Sequence, residues 1–245
     1  MEQVKLGTGT NMGGRTIMLD DLTSLLVAVP LAGVSLADYE RAVVEENCLA
    51  KPTLAARNET WKRLRKVYKL DFADPLYRLF HTLWTLNPTC RPLLGFQYAW
   101  VYDSVIRDSC RHFLPMPVGA EITPQGTSKW VHETYPDKYS EASVKSVGRS
   151  INSSWYQGGY VEGIHNRVRK AVVPQAENVA FALYVGLGTG LAGTGLFQSP
   201  MMELLDAPES ALIALAEQAA RQGILRFKHI GDVIEVAFDN MGGMA

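Results

Sequence analysis

The chain has 245 residues, of which 47% are hydrophobic and 20% are charged, and its formal net charge is −1. This length is sufficient for a sizeable core, in one large domain or two small ones, and the composition excludes disordered, collagen-like and coiled-coil proteins. The three cysteines lie far apart and form no C-x-x-C pair, which favours a reduced, cytoplasmic protein over a disulfide framework.

Basic charge is concentrated in two stretches, although the net charge is small. Residues 51–69 carry seven basic side chains against one acidic side chain, and residues 145–170 carry five against one. Concentrated positive charge attracts phosphates, so both stretches are candidate sites for binding nucleic acid. The basic residues are Lys51, Arg57, Lys62, Arg63, Arg65, Lys66, Lys69, Lys145, Arg149, Arg167, Arg169 and Lys170.

The spacing of apolar residues predicts three helices in the first part of the chain, over 20–29, 35–47 and 53–69. Ser35 and Thr53 are the predicted N-caps of the second and third helices. On the third helix a basic face lies opposite an apolar stripe made of Leu54, Trp61, Leu64 and Tyr68. A helix, a short turn and a basic amphipathic helix are typical of a helix-turn-helix unit.

Further helices are predicted over 74–87 and 91–113, followed by a loop that opens at Pro115. Ser140 is the predicted N-cap of another helix, which ends at the glycine pair 158–159. Its apolar stripe consists of Val144, Val147, Ile151 and Trp155. Its separate polar face consists of Lys145, Arg149, Asn152 and Tyr156.

Residues 160–173 predict a hairpin or an extended arm, with Arg167, Arg169 and Lys170 at its basic tip. A helix with a polar, basic face followed by a basic hairpin is the arrangement of a winged helix. Lys145, Arg149 and Asn152 are then expected near a DNA groove, with Arg149 or Asn152 as candidates for contacts to base edges.

The last part of the chain predicts helices over 175–187 and 209–222 and a closing hairpin that turns at Gly231 and Asp232. The expected fold is therefore mainly α, a helical bundle with helix-turn-helix or winged-helix elements and short β-hairpins. Three parts are expected: a helical, helix-turn-helix-like domain over 1–73, a helical domain with the winged-helix-like segment over 74–200, and a helix plus hairpin over 201–245.

The motif G-x-G-x-x-G occurs at Gly188, Gly190 and Gly193, and it raises the alternative of a dinucleotide-binding enzyme. That motif binds a pyrophosphate only between a strand and a helix of about three turns. Here the preceding run has helical spacing, and Pro200 follows within seven residues of the last glycine. A glycine-rich loop at a helix end is the favoured interpretation, and no cofactor is expected.

The 25 residues from Asn178 to Met202 carry no charge, but only 14 of them are apolar and five are glycine. A membrane-spanning helix needs about 20 predominantly apolar residues, so a span is not expected. Cys110 and His112 lie close together, but no second pair completes a zinc site. No recognised catalytic motif is present, and we expect a protein that is not an enzyme.

Three segments resemble the BrxA family of bacterial BREX phage-defence systems. The first, over 43–71, carries Asn47-x-Leu49-x-Lys51, then Arg57, then Leu64-Arg65 before Tyr68-x-Leu70-Asp71. The second is SVGRSINSSWYQGGYVEG, over 146–163, where a helix leads through a glycine into an extended arm. The third is LLDAPESALIALAEQAARQGIL, over 204–225, with the closing hairpin.

The resemblance implies a mainly helical protein that binds double-stranded DNA through helix-turn-helix or winged-helix parts. It also implies that the protein acts beside a methyltransferase and other defence components, and that the inner-membrane label carried by some relatives comes from hydropathy. The chain departs from the family in its glycine-rich segment over 178–202 and in its greater length.

The leading hypothesis is a non-enzymatic DNA-binding protein, in which both basic stretches lie on one flank of the molecule and contact phosphates. The alternative is a scaffold subunit whose basic surface meets acidic partner proteins.

Overall fold

The computed structural model describes residues 3–10, 15–231 and 233–238. Within these ranges the chain forms eleven α-helices and two antiparallel hairpins. The helices are α1 (Leu19–Ala28), α2 (Leu36–Val44), α3 (Leu54–Tyr68), α4 (Pro75–Leu86), α5 (Arg91–Tyr102), α6 (Ser104–Phe113), α7 (Pro124–Thr134), α8 (Glu141–Gln157), α9 (Ala176–Gly188), α10 (Pro200–Glu203) and α11 (Glu209–Arg221). The strands are β1 (Val161–Glu162), β2 (Val168–Arg169), β3 (Arg226–Ile230) and β4 (Val233–Ala237). The predicted mainly helical class with short hairpins is confirmed.

The predicted N-caps begin their helices as expected. Ser35 accepts a hydrogen bond from the backbone N–H of Asp38, whose carboxylate accepts one in return from the N–H of Ser35. Thr53 and Ser140 cap α3 and α8 through their hydroxyl oxygens, which accept bonds from the backbone three residues later. Each cap satisfies an N–H that the helix itself leaves without a partner.

The structure divides the predicted helix over 91–113 into α5 and α6, and the prediction of one continuous helix is wrong. Asp103 lies between them in an extended conformation, and its Oδ1 accepts bonds from the backbone N–H groups of Val105 (2.9 Å) and Ile106 (3.1 Å). This capping starts a new helix.

Helix α7 was not predicted, although the pair Thr123-Pro124 supplies a capping hydroxyl and a proline in the first turn. It packs closely against α8 at Gly148. A Cβ atom at that position would lie 2.8 Å from Oγ of Ser128, so only glycine allows the two helices to approach this closely. Helices α7 and α8 therefore form a tightly packed pair.

A short extended segment before α7 pairs with the hairpin that follows α8. Strands β1 and β2 are antiparallel, with Val161 opposite Arg169. On the other side of β2, Glu121 bridges Val168, and the N–H of Ile122 donates to the carbonyl oxygen of Arg167 at 2.8 Å. The hairpin is thus connected to the end of α8 and hydrogen-bonded to the segment that precedes α7.

The core joins the helices of all three predicted parts of the chain, and its buried residues form one cluster from Ile17 to Ile234. The predicted apolar stripe of α8 is buried within it. Trp155 of α8 stacks on Phe113 with ring centroids 4.5 Å apart, and its Nε1 donates to the hydroxyl of Ser109 at 2.8 Å. These contacts fix α8 against α6. On α3, Leu54 differs from its predicted stripe because it is exposed.

The glycine motif lies at the C-terminal end of α9, where a dinucleotide-binding turn would require a strand. The N–H of Val4 donates to the carbonyl oxygen of Gly188 at 2.9 Å, and a Cβ at Gly188 would lie 2.4 Å from Cγ2 of Val4. The glycine therefore admits the N-terminal segment over 3–10. Gly190 and Gly193 then turn the chain with φ angles of 93° and 56°.

The uncharged stretch over 178–202 contains most of α9, a 3-10 turn over Gly193–Leu196 and the start of α10. Among the helices of the described ranges, none has both the length and the apolar character that crossing a membrane requires. At the end of the chain, α11 leads into the hairpin of β3 and β4, and Gly231 occupies the turn with φ 57°. Asp232, the other predicted turn residue, lies outside the described residues.

Candidate nucleic-acid interface

The cations of α8 lie next to those of the hairpin that follows this helix. Lys145 and Arg149 are exposed and lie one helical turn apart. The guanidinium carbon of Arg167 lies 5.0 Å from the ring centroid of Tyr156, near the end of α8. This cation–π contact holds the hairpin tip beside the helix. Lys170 is exposed and lies 3.9 Å from the carboxylate of Glu162 on the opposite strand.

Two residues predicted for this surface are buried. Asn152 is 3% exposed, and its Oδ1 accepts a hydrogen bond of 2.6 Å from the hydroxyl of Thr127 on α7. Its polar side chain thus joins the α7–α8 pair. Asn152 was expected to contact a DNA groove, and that expectation is not met, because its side chain faces α7, a helix that the sequence analysis did not predict.

Arg169 was expected at the hairpin tip, but it is 1% exposed and lies in the core. Its Nη2 lies 2.6 Å from Oδ2 of Asp206, and its other nitrogens donate to the carbonyl oxygens of Phe113 and Lys170. Burial of a guanidinium requires such partners, since an unpaired buried charge is costly. Arg169 joins β2 to α6 and to the turn before α11.

The cations of α3 differ in whether they have partners within the fold. Lys62 and Arg65 are exposed and have no ion pair with any residue in the described ranges. Arg63 pairs with Glu59, one turn earlier, at 2.6 Å. Arg57 is half-buried and donates to the carbonyl oxygen of Val44, which places it at the end of α2. Arg57 and Arg63 therefore have internal partners.

The C-terminal half of α3 faces the N-terminal segment and α5. The Nζ atom of Lys66 donates to the carbonyl oxygen of Thr10 at 3.3 Å. The Nζ atom of Lys69 lies 5.1 Å from the ring centroid of Tyr102. Both lysines remain exposed.

Lys51 and Arg149 are the members of the two basic stretches that line a common cavity, which we call the α1–α8 cleft. Its volume is about 560 Å³, and it lies between the start of α1, the loop before α3 and one side of α8. Arg15 also lines it, and sequence reasoning missed this residue because it is an isolated cation ahead of a helix.

Cys110 and His112 each make contacts within the fold. The Cys110 thiol donates to the carbonyl oxygen of Ile106, and burial raises the pKa of this thiol to about 12. His112 stacks on Trp130 at a centroid distance of 5.5 Å, and burial lowers its pKa. Among the described residues, no group of three or more histidine, cysteine or acidic side chains is arranged to hold a metal ion.

Neither a protein family model nor a curated protein matches this chain. The site is therefore defined by its geometry. We call Lys145, Arg149, Arg167 and Lys170 the α8–hairpin surface, because all four belong to α8 or to the hairpin that directly follows it.

Proposed function

We propose that the chain is a non-enzymatic protein that binds double-stranded DNA through the α8–hairpin surface. The order of elements supports this proposal, because it matches that of a winged helix. This order is α6, an extended segment, α7, α8 and a two-stranded hairpin. In this proposal α8 is the recognition helix, since a major groove admits one α-helix. The hairpin acts as the wing. The observation that carries the proposal is the cationic hairpin held against α8 by the contact of Arg167 with Tyr156.

The cations of this surface supply affinity, and the rest of the helix face supplies sequence preference. Lys145, Arg149, Arg167 and Lys170 are proposed to contact phosphates, which position a protein on DNA without reading its sequence. Asn152 is left out because it bonds to Thr127. Of these four cations, Arg149 is the one for which a contact to a guanine edge is the alternative to a phosphate contact, since arginine recognises that edge through two hydrogen bonds.

The resemblance to the BrxA family supports a more specific role. We propose that the protein acts on DNA in the cytoplasm, as part of a BREX-type phage-defence system and beside its methyltransferase. The segment over 43–71 that carries the resemblance includes α3, and Lys62, Arg65, Lys66 and Lys69 of that helix are proposed as additional phosphate contacts. The helix-turn-helix interpretation of α2 and α3 stays a prediction.

Neutralising the α8–hairpin surface tests the proposal. We expect Lys145→Gln and Arg167→Gln each to weaken binding of a duplex about 8-fold near 100 mM salt. Each lost phosphate contact makes the slope of log affinity against log salt shallower by about 0.9, which is a factor of about 8 at 0.1 M relative to 1 M salt. The control is Arg41→Gln on α2, an exposed arginine that pairs with Asp38. Fluorescence anisotropy with a labelled duplex measures the affinities, and equal effects of all three substitutions would reject the surface.

A scaffold subunit is the second candidate, and the exposed face of α3 favours it. Lys62 and Arg65 lie outside the α8–hairpin surface and have no ion pair with another described residue. Lys62→Glu together with Arg65→Glu discriminates between the two functions. Loss of duplex affinity assigns these residues to DNA, whereas loss of co-purification with a partner protein at unchanged duplex affinity assigns them to a scaffold.

A further inference from the structure

The α1–α8 cleft brings together cations from three separate segments of the chain. Arg15 precedes α1, Lys51 follows α2, and Arg149 lies on α8. The side of α8 that lines the cleft presents the hydroxyl groups of Ser146 and Ser153, which lie two turns apart. Hydroxyls beside cations are the donors that bind phosphate oxygens.

The position of Lys51 is fixed before any ligand binds. The side chain of Asn47 accepts a hydrogen bond from the N–H of Lys51 (2.8 Å) and donates one to its carbonyl oxygen (3.1 Å). Asn47 itself has a φ angle of 54°, which asparagine tolerates better than most residues. The Nζ atom of Lys51 lies 2.7 Å from the carboxylate of Asp21. The Asn47 and Lys51 of the family-like motif thus have a physical role at this cleft.

The opposite wall is also held in place. Gln157, at the end of α8, accepts a hydrogen bond from the N–H of Leu19 at 3.1 Å and donates one to the hydroxyl of Thr16 at 3.2 Å. These two bonds join α8 to the segment that carries Arg15. A cleft whose walls are linked in this way is preorganised, which reduces the entropic cost of binding.

The charge of the cleft selects among phosphate ligands. Among the described residues, three cations line it together with Asp20 and Asp21, so these side chains give the lining a formal charge of +1. Lys51 and Asp21 neutralise each other as an ion pair. One excess positive charge matches a phosphodiester, which carries one negative charge. A nucleoside triphosphate would bring several negative charges next to the carboxylate of Asp20.

We propose that the α1–α8 cleft is a binding site for a phosphodiester, with Arg15 and Arg149 as the cations that contact it and with the α8 hydroxyls as additional donors. The ligand is the backbone of a DNA strand that runs beside α8, or a free phosphodiester of the size of a dinucleotide. The first case rests on the proposed function, whereas the second does not.

The test uses two variants of the cleft that leave the α8–hairpin surface intact. Arg15→Gln removes one cation, and Ser153→Phe fills the cleft from a half-exposed position on α8. Arg41→Gln serves as the control, and circular dichroism verifies that each variant is folded. Two ligands are titrated at low salt while amide resonances are recorded by NMR: the dinucleoside monophosphate thymidylyl-thymidine and ATP. Duplex affinity is measured in parallel by anisotropy.

We expect thymidylyl-thymidine to shift the resonances of residues 146–157 in the unmodified chain and in Arg41→Gln, but not in the two cleft variants. A parallel loss of duplex affinity of about 8-fold in Arg15→Gln identifies the ligand as DNA backbone. Unchanged duplex affinity identifies a free phosphodiester instead.

Absence of shifts together with unchanged duplex affinity in both cleft variants would overturn the proposal, and so would preferential binding of ATP. The proposed DNA-binding function fails separately, if Lys145→Gln and Arg167→Gln leave duplex affinity unchanged. In that case the thymidylyl-thymidine titration still tests whether the cleft binds a phosphodiester.

Discussion

Individual basic residues have different roles in this chain, although the sequence presents them as one group. Arg167 and Arg169 are two positions apart, yet the first contacts an exposed ring of α8 and the second is buried. The difference follows from position in the hairpin, because Arg169 lies in β2 and faces α6 and Asp206. Charge alone therefore does not identify a ligand contact.

The buried ion pair gives a stability prediction. Arg169→Met removes the protein partner of the half-buried Asp206 carboxylate and of the carbonyl oxygen of Phe113, and we expect the free energy of unfolding to fall by about 2–3 kcal/mol. Lys170→Met is the control, because its exposed pair with Glu162 contributes less than about 1 kcal/mol. Urea denaturation measures both variants, and equal losses would contradict the role assigned to Arg169.

Two histidines predict how stability depends on pH. Burial lowers the pKa of His81 and His112 in the folded chain, so the unfolded chain binds protons more readily. Their contribution to stability is complete above the unfolded pKa of about 6.5 and is lost as the pH falls through the folded pKa. We expect the double variant His81→Phe/His112→Phe to lose less stability than the unmodified chain between about pH 7.5 and about pH 5.

Urea denaturation at both pH values measures this difference. His132→Phe is the control, since His132 is exposed on α7. A pH response of the double variant as steep as that of the unmodified chain would show that other groups carry the dependence.

At the scale of elements, the side chain of Asp103 caps α6 at the break between α5 and α6. Asp103→Ala removes the cap of α6, and we expect a loss of about 1–2 kcal/mol in the free energy of unfolding. Asp103→Asn retains an acceptor oxygen and is expected to remain close to the unmodified chain. Thermal unfolding followed by circular dichroism compares the variants, and equal effects of alanine and asparagine would assign the loss to other contacts of Asp103.

The elements with strong local signals were predictable, and those defined by packing were not. A capping residue and an apolar stripe fixed the bounds of α8 within a residue or two, because both signals act within one helix. The division at Asp103 was missed because the apolar pattern continues across it. The burial of Asn152 depends on α7, which lies far enough away in sequence that no periodicity in α8 reveals it.

At the scale of the whole molecule, the α1–α8 cleft has one member of each basic stretch in its lining. Lys51 and Arg149 line it together, whereas Lys66 and Lys69 contact Thr10 and Tyr102. The sequence predicted two basic segments but not which of their members would be neighbours. Arg15, which completes the cleft, belongs to neither segment.

The central claim is that cations of the α8–hairpin surface bind DNA phosphates, and the salt dependence of duplex affinity tests it most directly. If Lys145, Arg149, Arg167 and Lys170 each neutralise one phosphate, these four contribute about −3.6 to the slope of log affinity against log salt, which is about 150-fold between 50 and 200 mM, and the contacts proposed for α3 make the slope steeper. The double variant Lys145→Gln/Arg167→Gln is expected to show a slope that is shallower by about 1.8. An affinity that does not change with salt, or a slope that the double variant leaves unaltered, would contradict the claim.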